Sequence, residues 1–145
     1  FDFGGIDNNN KYFVLEVKNV PLADYVDCDN KSKKKMNFDT IEPFNKISYF
    51  PDGYRKAKNQ VVSERALKHI NELAFITNSK IIRPIICFVI QRTDSSSFQA
   101  SNLDPIYKEA FNEAVKKGVE VFTLVVRWDI NGNANFEHSN LFINY

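Results

Sequence analysis

Tyr12-Phe13-Val14-Leu15-Glu16-Val17-Lys18-Asn19-Val20 is a run of β-branched and aromatic residues interrupted by two charges. Its composition predicts a strand. Side chains alternate along a strand, so Phe13, Leu15 and Val17 share one face and Val14, Glu16 and Lys18 share the other. Two charged groups two residues apart then reach the same region of space. Upstream, Phe1-Asp2-Phe3 alternates apolar and polar, and Gly4-Gly5 followed by Asp7-Asn8-Asn9-Asn10 supplies turn chemistry. Together these segments predict a β-hairpin. Folding it about Asn9 sets Asp2 directly across from Glu16, where opposed Cβ atoms lie about 4.5–5.5 Å apart.

Beyond the hairpin the chain changes character. Residues 24–60 are charged and rich in Asn and Lys, and 27–37, with Lys31-Ser32-Lys33-Lys34-Lys35, predicts a mobile inserted loop. A short ordered island, Ile47 to Asp52, precedes a second basic stretch at Arg55-Lys56-Ala57-Lys58. Ser63 is an N-cap for a helix to about Asn78, with Ala66, Leu67, Ile70, Leu73 and Ala74 at three- and four-residue steps. Ile85 to Gln91 is a continuous apolar strand of the kind buried on both faces. Asp104-Pro105 starts a second helix that ends at Lys116-Lys117-Gly118, and Val119 to Trp128 is a further apolar strand. Leu141-Phe142-Ile143 suggests a short terminal strand. Apolar strands separated by a helix pair in parallel within a helix-covered sheet, so the fold class is α/β.

The 145 residues suit a single domain spanning 1–145. A formal charge of +1 leaves any electrostatic case to local clustering. Two cysteines, Cys28 and Cys87, are too few for a disulfide framework and lack metal-ligand spacing, which favours a reducing, intracellular setting and a soluble protein. The most apolar run, Ile81 to Ile90, carries Arg83 and Pro84 and is too short to span a membrane. Thirteen Phe and the one Trp, Trp128, read as core.

Opposed carboxylates at Asp2 and Glu16 repel, and a divalent cation between them reverses the sign of that interaction. Mg²⁺ or Mn²⁺ suits such a pair, with retained waters and phosphate oxygens completing its shell. Lys18, next along the same face, could orient the attacking water or stabilise charge on the phosphate. The same Glu-x-Lys pair could also be an ordinary surface ion pair worth about 0–1 kcal/mol.

The residues resemble those of the sugar fermentation stimulation protein A (SfsA) family. The resemblance runs through Phe1-Asp2-Phe3, Phe13 to Ala23, Tyr49-Phe50-Pro51-Asp52, Ser63 to Leu73, Phe88-Val89-Ile90-Gln91-Arg92, Phe98-Gln99-Ala100 with Leu103 to Tyr107, and Gly118 to Val121. It implies a restriction-endonuclease-like fold of the PD-(D/E)xK superfamily, a mixed central sheet flanked by helices. It also implies nucleic acid, and DNA in particular, as partner, with Asp2 and Glu16 as metal ligands and Lys18 as the lysine of the motif. Binding without catalysis is the alternative. The family's N-terminal OB-like domain has no counterpart in these residues, 27–37 and 53–62 are longer than its usual loops, and Arg65-Ala66 replaces a usual Arg-Gly. On the predicted first helix, Arg65 and Lys68 are candidate phosphate contacts, against a solvated face with a Glu64–Lys68 ion pair. Glu64, His69 and Gln91 are possible supporting residues.

Overall fold

The structure is a computed structural model and describes residues 1–39 and 42–145. The predicted hairpin is present as β1 (Phe3–Ile6) and β2 (Tyr12–Val20). Its register pairs Phe3 with Leu15 and Ile6 with Tyr12, the alignment expected from a turn about Asn9. Asn10 takes a positive φ of 59°, a conformation Asn tolerates, while the Asp7 carboxylate accepts from the N–H groups of Asn9 and Lys11.

Two further parallel strands extend the sheet, β5 (Ile82–Ile90) and β7 (Glu120–Trp128), and β8 (Ala134–His138) closes it antiparallel to β7. The order is β1-β2-β5-β7-β8. Strand β5 begins earlier than its apolar run suggests and includes Pro84. That proline lies beside Val14 of β2, whereas pairing with β7 starts only at Ile85, so its missing N–H interrupts no ladder there. A second sheet, absent from the sequence reading, has the order β3-β4-β6-β9. It comprises β3 (Ala23–Asp24), β4 (Lys46–Phe50), β6 (Ser95–Ala100) and β9 (Phe142–Asn144).

The helices follow their caps. The Ser63 hydroxyl accepts from Ala66 N at 3.2 Å and opens α2 (Glu64–Ile76), a helix continued by a 3-10 turn at Thr77–Ser79. The Asp104 carboxylate accepts from Tyr107 N at 3.1 Å and from Val62 N at 2.7 Å, opening α3 (Pro105–Lys117). Gly118, with φ at 107°, ends it in the left-handed region that glycine favours.

Lateral pairing assigns every strand residue of the large sheet to a face. Val14, Glu16, Lys18 and Val20 line up with Pro84, Ile86, Phe88 and Ile90, and these with Thr123 and Val125. This face meets α2, α3 and the second sheet: Phe88 packs with its ring centroid 4.3 Å from Phe98, 5.6 Å from Phe50 and 5.8 Å from Phe111. One continuous core results. Both helices thus cover a single face, where the sequence reading expected a sheet flanked by helices. The other face carries Phe3, Phe13, Leu15, Val17, Cys87, Val89, Phe122 and Leu124, and among the described residues no helix packs over it. Trp128 and Phe136 lie at its far side and are exposed, so the expectation that Trp128 and the phenylalanines are all core is corrected.

The stretch expected as a mobile loop at 27–37 is more ordered than its composition suggests. Asp29 caps a short helix, α1 (Asn30–Lys33), and Lys33 pairs with Asp24. Asp27 is buried and accepts from Gln99 Nε2 at 2.8 Å, Ser101 Oγ at 3.0 Å and Asn102 N at 2.6 Å. Hydrophilic composition does not reveal a carboxylate satisfied by partners some seventy residues away. In 53–62, Arg55 donates to the carbonyls of Leu103 (3.0 Å) and Lys58 (2.5 Å), anchoring that loop beside the start of α3.

Candidate functional site

Glu16 and Lys18 point from the second strand of the sheet, not its edge, into the face covered by α2. Glu16 is 2 % exposed, and its Oε1 lies 2.6 Å from Lys18 Nζ. His69 of α2 brings Nδ1 against the same Oε1, and 3.1 Å from Lys18 Nζ. A single ring nitrogen can donate to Glu16 or accept from Lys18, not both, so the tautomer decides which contact is a hydrogen bond. Spacing along α2 places the histidine: it stands three residues after buried Ala66 and four before buried Leu73, on the helix's packed stripe. That periodicity was a usable signal, although His69 on its own reads as a surface residue.

Asp2 stands one step beyond the β1 ladder, opposite Glu16 by continuation of the register. Its N–H donates to Leu15 O at 3.1 Å, and its Oδ2 accepts from Val17 N at 2.7 Å. The carboxylate caps a backbone donor where the strand pairing ends. The opposed carboxylates are therefore each compensated within the protein, Asp2 by an amide and Glu16 by Lys18 and His69. Among the described residues no group of three or more His, Cys, Asp or Glu side chains is clustered as a metal cage. The donor set fits an ion of the Mg²⁺ type, which takes one or two protein carboxylates and leaves the rest of its shell to water and phosphate.

Tyr107 belongs to this neighbourhood and was missed, because a tyrosine on a helix gives no sequence signal beyond core packing. It is fully buried, its hydroxyl has no hydrogen-bond partner, and burial pushes its pKa far up, with the charges of Asp104 and Glu16 adding to the effect. The phenol is neutral at all physiological pH values.

The other predicted residues are placed elsewhere. Glu64, Arg65 and Lys68 lie on the exposed side of α2. The ion pair of Lys68 is with Glu72 at 3.7 Å, not with Glu64, since the acid one turn on is the one in reach. Gln91 is not brought to Glu16. Its N–H donates to Val20 O at 3.0 Å, and it lines a cavity of about 450 Å³ with Arg92, Asp94, Arg127 and Trp128 at the C-terminal ends of β5 and β7. There Asp94 accepts from Arg92 Nη2 at 2.6 Å and Lys46 Nζ at 2.7 Å. The Arg92 guanidinium, aided by Lys46, holds its carboxyl well below the usual carboxylate range.

A family model described as the sugar fermentation stimulation protein RE domain matches residues 34–132, more than half of the chain. The chain belongs to the SfsA family. The matched span contains α2, β5, α3 and β7 but begins after Asp2, Glu16 and Lys18. Curated relatives named sugar fermentation stimulation protein homolog include one from Rhizobium rhizogenes, 37 % identical over 82 residues, covering 56 % of this chain and 29 % of that protein. Another, from Histophilus somni, is 29 % identical over 128 residues, covering 88 % and 46 %. The fold is similar to that of Pyrococcus furiosus SfsA, solved in complex with Ca²⁺, with a TM-score of 0.68 and 20 % identity over 97 % of this chain and 48 % of that one. The chain thus spans less than half the length of each of these relatives. No helix among the described residues is long and apolar enough to cross a membrane.

Proposed function

We propose that the chain is a divalent-metal-dependent, nuclease-type domain of the PD-(D/E)xK class that binds DNA and hydrolyses phosphodiester bonds. The observation that carries this reading is the convergence of Glu16, Lys18 and His69 on one buried point beside Asp2. Burying a carboxylate with two bases costs desolvation that apolar packing would avoid, so stability alone does not account for the cluster. The Ca²⁺ bound by the P. furiosus relative is an oxygen-seeking divalent ion, which supports a related preference here.

In this reading Asp2 and Glu16 hold Mg²⁺ or Mn²⁺. An ion held there would polarise the phosphate and make a water nucleophilic near neutral pH. Lys18 carries its fixed positive charge to the phosphate oxygens or the attacking water, and its reach to Glu16 keeps it at the carboxylate. His69 fixes the Glu16 side chain from the helix side. Arg65 and Lys68, exposed on the same helix, contact the nucleic-acid backbone, which makes affinity fall with salt.

The test is Mn²⁺ calorimetry with cleavage of DNA in Mg²⁺. Stoichiometric binding lost in Glu16→Ala and weakened in Asp2→Ala is expected, with cleavage lost in Lys18→Met while DNA binding persists. A second reading, a DNA-binding module without turnover, is favoured by one observation: Lys18 and His69 compensate the Glu16 carboxylate from within the protein. It predicts salt-sensitive DNA binding unchanged in Glu16→Ala, and no cleavage in the parent chain.

A further inference from the structure

The covered side of the hairpin leads away from Asp2 and Glu16 along an open trough. Asp2, Gly4 and Ile6 of the edge strand share that side with Tyr12, Val14 and Glu16. Gly4 has no side chain, and a Cβ there would meet only the Phe13 carbonyl oxygen, 3.5 Å away, so the trough stays open beside Val14. Next to Asp2 it widens into a cavity of about 590 Å³, lined by Phe1 and, on α2, by Lys68, Asn71, Glu72, Phe75 and Ile76. At the other end a second cavity, of about 560 Å³, is lined by Ile6, Tyr12, Val14, Ser79 and Ile81 among others. Phe1 is 52 % exposed, Tyr12 53 % and Phe75 75 %. Beyond them lies a hollow that shares Ile81 and Ile82 with the second cavity and carries Lys11, Lys80 and Lys117. Among the described residues none of these three lysines forms an ion pair. The hollow stays positive even with the Arg83 corner counted, where Glu120 and Asp7 meet one guanidinium.

We propose that this trough holds single-stranded nucleic acid and leads it to Asp2 and Glu16; the inference rests on the nuclease reading above and names its substrate. Duplex bases are stacked on one another and turn only their edges and the phosphates outward, so exposed rings beside the site would have nothing to meet. Unpaired bases present their faces, and aromatic side chains stack on any of them, while cations along the same groove hold the backbone. Both parts are present. Phe1 and Phe75 flank the carboxylate end and Tyr12 the far end, about 13 Å further along the strand. Arg65 and Lys68 stand at the first end, and Lys11, Lys80 and Lys117 at the second. Charge complementarity therefore selects a polyanion, and the rings select one whose bases are bare. A purely apolar occupant would leave the lysines unused.

Fluorescence anisotropy of fluorescein-labelled dT20 and of a duplex of the same length, measured on the 145-residue chain in EDTA so that no strand is cut, tests the proposal. The single strand should bind at least tenfold more tightly than the duplex. Phe75→Ala should weaken dT20 binding about tenfold and leave duplex binding unchanged. Phe75→Trp should keep the affinity, and its added indole emission, over that of Trp128 in the parent, should be quenched by dT20. Joint Lys11→Gln and Lys80→Gln substitution should lower the slope of log affinity against log salt by about 1.4. All three positions are exposed, and circular dichroism should not change. A duplex held as tightly as dT20 overturns the proposal, as does dT20 binding that survives both Phe75→Ala and the lysine substitutions. Mn²⁺ calorimetry tells this failure from that of the nuclease reading. Mn²⁺ held through Glu16 with no single-strand preference rejects the trough alone. Binding of dT20 through Phe75 with no Mn²⁺ uptake rejects the nuclease reading and keeps the trough.

Discussion

The two faces of the large sheet invert the usual division of residues. The covered face holds a buried ionic cluster, Glu16 with Lys18 and His69, while the open face keeps its ions, Arg83 with Glu120 and Asp7, at one end and carries Phe13, Leu15, Val17 and Phe122 across its middle. Alternation along β2 dictates that these sets oppose each other, but not which one is covered. The rest of the covering layer decides that. Val20, Ile86, Phe88, Ile90 and Val125 sit on the ionic face, and they outweigh the two charges in recruiting α2, α3 and the second sheet. A charge pair on a strand is therefore no sign of solvent exposure, and an apolar triplet is no sign of a core.

The contrast is sharpest for two phenylalanines. Phe88 is fully buried at the meeting point of Phe50, Phe98 and Phe111, and Phe88→Ala should cost about 3–5 kcal/mol in denaturant unfolding through lost transfer energy and an unfilled cavity. Phe122 lies one residue to the side in register, opposite Cys87 on the open face. Phe122 is 46 % exposed, and Phe122→Ala should cost at most about 1.5 kcal/mol. Equal losses would break the distinction between the faces.

Glu16→Ala comes next. Removing the acid strands Lys18 and His69, which are only 12 % and 16 % exposed. Breaking a fully buried pair costs about 3–5 kcal/mol, and the residual solvent contact lowers the expectation to about 2–3 kcal/mol. Adding Lys18→Met should recover part of that loss, since the stranded charge goes with it. A double variant weaker than the single one would show that the lysine stem, not its charge, is what the covered face needs.

How much of this was legible in the sequence follows the range of the interactions. The hairpin register, the Ser63 and Asp104 caps and the Gly118 stop are set by neighbouring residues, and all are found where spacing put them. The convergence of Glu16 with Lys18 was legible from alternation. The second sheet was not, because β4 and β6 pair across some fifty residues and Ser95-Ser96-Ser97 carries no strand signal. The one-sided covering was not legible either, nor was the contact of His69 with Glu16, because both depend on how α2 lies across the sheet. Asp2 was read as a ligand, and whether it acts as one turns on a carboxylate that also caps Val17.

Asp104 measures what keeps the cover in place. Its carboxylate caps α3 and also takes the Val62 N–H, so Asp104→Ala removes an N-cap and leaves a part-buried donor unpaired. A cap alone is worth about 1 kcal/mol, and the second bond brings the expected loss to about 2 kcal/mol. Asp104→Asn should recover no more than about half of it, since the amide oxygen can still cap Tyr107 but the amide nitrogen cannot accept from Val62 N–H.

The smallest effect separates ion pairs that brace the covered layer from those on the open rim. Arg92 follows β5 of the large sheet, while Asp94 immediately precedes β6 and Lys46 opens β4 of the second sheet, so their contacts tie the two sheets at one corner. Because the folded pKa of Asp94 lies below its ordinary 3.8, its stabilisation is complete above that value and fades as pH falls through the folded pKa. Asp7 on the open rim is lowered too, chiefly by the Lys11 N–H, with the Asn9 N–H and Arg83 adding and burial opposing. The titration therefore has the same sign at both carboxylates, and structure decides which one links elements. Asp94→Asn should flatten the acid limb of the stability profile below pH 4 and loosen the join between sheets, seen as faster amide exchange in β4 and β6. Asp7→Asn should flatten the same limb, but with faster exchange confined to the hairpin turn. Faster exchange in β4 from the Asp7 variant would mean that the rim and the corner are mechanically one unit, and the two faces less independent than their contacts imply.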